Sequence, residues 1–181
     1  FVPHSQGPVT PKEWKSLDGT FYLDHQGKPY LIFCHEWTQI QNGTVCAVRL
    51  SRDLRKAEGE PFLLWKGSDL PGAEEKSDYV TYVTDGPYLF QLKNGGLLCM
   101  WSSLLQNTYV QAAAISKNGE IHGSWTQLPE LLYTADGGHG MLFNALDGRL
   151  LMTLHSPNTT LEERPVFIEL EETENGLAVV S

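Results

Sequence analysis

Three short segments carry residues able to move a proton or hold a cation: Asp18-Gly19-Thr20, Asp85-Gly86-Pro87 and His139-Gly140-Met141. Two carboxylates and an imidazole brought together are the material of acid–base and ligand chemistry. Each polar residue with its glycine opens the same pattern. A short apolar run follows, then a turn (His25-Gln26-Gly27-Lys28, Lys93-Asn94-Gly95-Gly96, Asp147-Gly148-Arg149), then a second apolar run. Apolar runs flanking Asn-Gly or Asp-Gly predict β-hairpins. In an antiparallel hairpin the start of the first strand and the end of the second share an edge. That edge puts Asp18 near His35-Glu36-Trp37, Asp85 near Trp101-Ser102-Ser103, and His139 near His155-Ser156-Pro157.

The elements that must position these residues form a repeat. The unit recurs at a spacing of roughly 50–70 residues, which points to radial or stacked architectures. Two further strand-like runs follow each of the first two hairpins, as in residues 44–50 and 61–65, and four antiparallel strands make one propeller blade. No stretch sustains helical periodicity. The predicted fold is all-β, a β-propeller. Residues 1–15 read as the tail of a preceding blade, and residues 16–68, 76–133 and 135–181 as three four-stranded blades. Inner strands line the central channel, so the two aspartates and the histidine converge on the axis. Propellers usually close with four to eight blades, so blades on the N-terminal side are expected to be missing.

Composition bounds the partners. The 181 residues are 41% hydrophobic and 19% charged, ordinary for a globular domain. A net charge of −9 argues against nucleic acid and anionic membrane, which need clustered Lys and Arg. No apolar stretch is long enough to span a bilayer. Cys34, Cys46 and Cys99 lack metal-ligand spacing and sit in apolar runs, so they read as buried thiols. The residues set no cellular address; a secreted or periplasmic one is favoured over a cytoplasmic one.

These segments resemble the family-43 glycoside hydrolases, five-bladed propellers acting on arabinose- and xylose-containing plant polysaccharides. Ser16-Leu17-Asp18-Gly19-Thr20 looks like that family's third blade. Thr84-Asp85-Gly86-Pro87-Tyr88-Leu89 looks like the fourth, which usually opens Glu-Gly-Pro, and Gly138-His139-Gly140 looks like the fifth. The resemblance covers essentially the whole chain and implies three blades of an expected five.

It also implies an inverting mechanism, in which one carboxylic acid protonates the leaving oxygen and a carboxylate activates water. The family's general base opens a first blade, which this sequence lacks. Asp18 matches the aspartate that orients the acid and raises its pKa. Asp85 takes the place of the acid, although it is one methylene shorter than the usual Glu. Glu36, at the same edge of the adjacent blade, is the alternative donor. His139 matches the histidine beside an axial metal, so Ca²⁺ is the expected ion. Trp37 and Trp101 are either sugar-stacking platforms or blade core; His35 and His155 lie at the rim as substrate-binding candidates. The expected partners are a carbohydrate substrate and the missing blades or a partner chain. Two rivals stand beside the enzyme: a carbohydrate-binding propeller without catalysis, and an interaction scaffold.

Overall fold

Alternating apolar residues bounded by glycine turns give twelve strands in the computed structural model, which describes residues 1–73 and 82–180. The first blade contains β1 (Ser16–Leu23), β2 (Pro29–His35), β3 (Thr44–Arg49) and β4 (Phe62–Lys66). The second contains β5 (Asp85–Gln91), β6 (Leu97–Leu105), β7 (Thr108–Ser116) and β8 (Trp125–Gln127). The third contains β9 (Gly138–Asn144), β10 (Leu150–Ser156), β11 (Arg164–Thr173) and β12 (Gly176–Val179). Each blade is an antiparallel meander in chain order. The inner strands β1, β5 and β9 pack side by side.

The start expected for the second blade, at residue 76, lies outside the described residues. Residues 1–15 carry no strand; Val9 and Trp14 pack on the outer face of the first blade against Phe33, Cys46, Val48 and Leu50. One short helix, α1 (Trp37–Ile40), follows β2, and a 3-10 turn (Gly67–Asp69) follows β4.

The period of two along a strand decides which blade each side chain meets. In the second blade Leu97, Cys99 and Trp101 of β6, with Val110, Ala112 and Ala114 of β7, face Ile32, Cys34, Val45, Ala47 and Trp65 of the first. The intervening Leu98, Met100, Ala113 and Ile115 face Leu142, Met152, Leu154 and Leu170 of the third. The middle blade is therefore buried on both sides, and its strands read as nearly continuous apolar runs. The outer blades keep apolar side chains open on their outer faces, Met141 and Phe167 on the third and, beside the patch that Val9 and Trp14 cover, Phe21 and Leu63 on the first, all at least 48% exposed. Cys34, Cys46 and Cys99 are buried free thiols.

Candidate active site

A β-bulge marks the opening of every inner strand, and it fixes where the polar residues point. Between Leu17↔Cys34 and Thr20↔Ile32, the inner strand holds one residue more than its partner. The same extra residue lies between Asp85↔Ser102 and Tyr88↔Met100, and between Gly138↔His155 and Met141↔Thr153. Bulges bend a strand and re-aim its side chains. Asp18, Gly86 and His139 occupy the same place in the three bulges, with φ of 57°, 50° and 57°. This register corrects the expected equivalence of Asp18, Asp85 and His139. Asp85 stands one residue earlier, level with Leu17 and Gly138.

That one-residue offset separates the two carboxylates by role. Asp18 Oδ2 accepts the backbone N–H of Gly86 at 3.0 Å, and Oδ1 lies 3.9 Å from His139 Nε2. One side chain of the first blade thus touches the second and the third. Gly86 cannot carry a side chain here, because a Cβ would stand 2.8 Å from the His139 ring and 3.1 Å from His139 Cα.

Asp85 turns instead into its own blade, where Oδ2 accepts the Tyr109 hydroxyl at 3.0 Å. Burial, against the opposing hydrogen bond from Tyr109 and with help from the charges of Asp18 and Glu36, pushes the Asp85 carboxyl up to about 7. Burial and the neighbouring Asp85 charge raise the Tyr109 phenol, so it remains a donor across the neutral range.

Sequence reasoning missed the residues that brace this arrangement. Tyr109 is buried, its ring stacked at 5.6 Å on His155, and its N–H donates to Asp136 Oδ1 at 3.2 Å. Gln111 is wholly buried. Its Oε1 accepts from Gly140 N–H at 2.8 Å and from Ser102 Oγ at 3.2 Å, while Nε2 donates to the Trp101 carbonyl at 2.8 Å. Ser102 Oγ in turn accepts the His139 N–H at 2.7 Å. These bonds fasten the opening of β9 to the middle blade. A polar residue inside the apolar run Val110-Gln111-Ala112 is the one local sign of such a clamp.

The rim candidates divide. Trp101 is fully buried, 6.0 Å from Trp65, with its indole N–H donating to Gln127 at 3.0 Å; of the two readings left open for it, it is blade core, and its place among the substrate-binding candidates is corrected. The alternation of β6 turns it into the interface between blades. His35 is likewise corrected: it is buried, stacked on Trp14 at 4.1 Å, with Nε2 2.9 Å from Gln39 Oε1. Glu36 lies past the end of β2, as the residue preceding α1, and Trp37 opens that helix partly exposed. His155 stays at the rim, partly exposed, 3.1 Å from Asn158 Oδ1.

His139 is 47% exposed beside Asp18, so its ring is solvated rather than in an apolar core. Among the described residues no group of three or more His, Cys, Asp or Glu side chains is placed to hold a metal ion. One imidazole and one carboxylate fall well short of the six to eight oxygens calcium prefers. The remaining positions would fall to water, so these two side chains suit only a loosely held, largely hydrated ion.

Three radial four-stranded blades thus bring a buried carboxyl, Asp85, close to Asp18 of the neighbouring blade. The chain belongs to glycosyl hydrolases family 43, whose family model matches residues 2–176. No curated protein matches it. Among solved structures it is similar to an endo-arabinase from Bacteroides thetaiotaomicron, with 39% identity over 97% of this chain and a TM-score of 0.89. It spans 63% of that enzyme. An endo-1,4-beta-xylanase from the same organism is 20% identical over 99% of this chain and 62% of its own, with a TM-score of 0.75. An alpha-L-arabinofuranosidase from Lactobacillus brevis is 15% identical over 94% of this chain and 57% of its own, with a TM-score of 0.73. The last two share the fold.

Proposed function

We propose that this chain supplies the proton-donating half of an inverting glycosidase acting on arabinose- or xylose-containing plant polysaccharides, with Asp85 as the acid. The observation that carries the reading is the Asp85 carboxyl, pushed up to about 7 mainly by burial, with the charges of Asp18 and Glu36 beside it. A general acid works best when its pKa lies near the working pH. The bound sugar's leaving oxygen takes the Asp85 proton as the glycosidic bond breaks. Asp18 and Glu36 keep that proton in place by opposing ionisation until transfer. Asp18 also anchors the bulge of the second blade, and so fixes where Asp85 begins.

The other half of the reaction is a water activated by a carboxylate, typically about 6.5–9.5 Å from the acid in inverting enzymes. The family resemblance assigns that base to a blade other than the three seen here. Trp37 and His155 supply ring surface at the rim for a neutral sugar. The likeness to an endo-arabinase supports arabinan as the first substrate to test. The open faces of the outer blades are the surfaces for further blades or a partner chain.

The test compares Asp85→Asn and Glu36→Gln in a polypeptide carrying these residues. Hydrolysis of arabino-oligosaccharides, whose leaving groups need protonation, is expected to collapse in Asp85→Asn, while activated aryl glycosides keep most of their rate. Both rates unchanged in Asp85→Asn, with the selective loss in Glu36→Gln, would move the acid to Glu36. Tight glycan binding with no hydrolysis would favour a binding propeller.

A further inference from the structure

Asp85 has two carboxyl oxygens, and a proton donor must present its proton on the one facing substrate. The hydrogen-bond pattern breaks that symmetry. Tyr109 comes from β7, the third strand of the middle blade, and its hydroxyl donates to Oδ2 at 3.0 Å. The ring has little freedom. It stacks on His155 from β10, its backbone N–H is held by Asp136, and the approach of Gly138 leaves no room for a side chain, since a Cβ there would stand 2.7 Å from Tyr109 Cε1. Elements of two blades therefore aim one phenol at one oxygen.

We propose that Tyr109 is a positioning residue for the acid: its hydroxyl commits Oδ2 to accepting, and so holds the transferable proton of Asp85 on Oδ1. The inference rests on Asp85 being the donor. A protonated carboxyl has one O–H and one carbonyl oxygen. With the Tyr109 hydroxyl donating to Oδ2, that oxygen is the unprotonated one, and moving the proton onto it would require the phenol to give up its donor role and accept instead. In the reaction the Oδ1 proton passes to the leaving oxygen as the glycosidic bond breaks, and water, deprotonated by a carboxylate base, completes the sugar. Asp85 is left as a carboxylate, and the same Tyr109 bond, now charge-assisted, strengthens. Tyr109 thus favours the proton-released form, while burial, Asp18 and Glu36 favour the proton-loaded one.

The charged and titratable groups around Asp85 are Asp18 on β1, Cys34 on β2, Glu36 beyond β2 and Tyr109 on β7; His139 on β9 lies behind Asp18, and His155 on β10 behind the Tyr109 ring. Of these, Tyr109 alone donates a hydrogen bond to the Asp85 carboxyl among the described residues.

The test is a carboxyl-carbon NMR titration of the chain labelled at aspartate, with Asp85→Asn assigning the resonance. Asp85 is expected to titrate at about 7. In Tyr109→Phe the midpoint rises, because the bond favouring the ionised form is gone. Site-specific replacement of Tyr109 by a fluorotyrosine, a stronger donor that keeps the ring, lowers it. This second variant keeps the test decisive if Tyr109→Phe fails to fold. A midpoint unmoved by either substitution, in a protein whose other aspartate resonances hold their places, overturns the positioning role. An Asp85 midpoint in the ordinary aspartate range would instead overturn Asp85 as the acid, and is read separately in the unsubstituted chain. In a hydrolysing polypeptide, Tyr109→Phe should lose roughly tenfold to a hundredfold in kcat/KM on substrates that need protonation, the range expected for one bond to a charged group. Aryl glycosides should change little.

Discussion

The carboxylate of Asp18 accepts the backbone N–H of Gly86 at 3.0 Å, tying the bulge of one blade to the bulge of the next. The contact needs both residues in the left-handed region, at φ of 57° and 50°. For Asp18 that conformation costs free energy, offset by a hydrogen bond that a short acidic side chain is well suited to make.

Gly86→Ala is therefore expected to destabilise the protein by about 1–3 kcal/mol. Its Cβ would meet the His139 ring at 2.8 Å and the His139 Cα at 3.1 Å, so a side-chain rotation alone gives no relief. Denaturant unfolding checks this; a midpoint equal to that of the unsubstituted chain would mean the bulge tolerates an L side chain.

Asp85 should make stability fall as pH rises. Its folded value, about 7, lies above the unfolded one near 3.8, so the folded state binds the extra proton. The contribution is fully present below the unfolded value and is lost progressively up to about 7, an effect on the order of 4 kcal/mol in total. Unfolding free energies from pH 4 to 8 should decline less steeply in Asp85→Asn. Parallel curves for the two proteins would refute the assignment.

Gln111→Leu removes one side chain and orphans the Gly140 N–H, the Ser102 hydroxyl and the Trp101 carbonyl from their common partner. The expected loss is about 2–4 kcal/mol, since each buried group left unpaired carries a desolvation penalty. Amide exchange should rise first at His139 and Gly140. Uniform destabilisation without that local loss of protection would count against a clamp between blades.

The open faces of the outer blades should make the 20.2 kDa chain self-associate. Met141 and Phe167 are 48% and 61% exposed on the third blade, and Phe21 and Leu63 are each 50% exposed on the first. Sedimentation is expected to give a mass above the monomer, reduced by Phe167→Lys. A cooperatively unfolding monomer at high concentration would show that these faces need no cover.

Hairpins, turns and blade order were legible in the sequence because their determinants are local. Asn94-Gly95 and Asp147-Gly148 set the turns, and a period of two set the strands around them. The convergence of Asp18, Asp85 and His139 followed from repetition alone. Three things were decided only by the tertiary structure. The bulge register placed Gly86, and not Asp85, level with Asp18, because Asp85 pairs with Ser102 one residue before its bulge while Asp18 lies inside its own, which the shared Asp-Gly pattern does not report. Trp101 went to the core because β6 is covered by blades on both sides, a circumstance no window of residues can report. The third is the proton affinity of the Asp85 carboxyl. Asp85 holds its proton because chain 67 residues before it and 24 after it brings up Asp18 and Tyr109. Solvation and Coulomb terms depend on distance in space, and distance in space is set by how the blades pack.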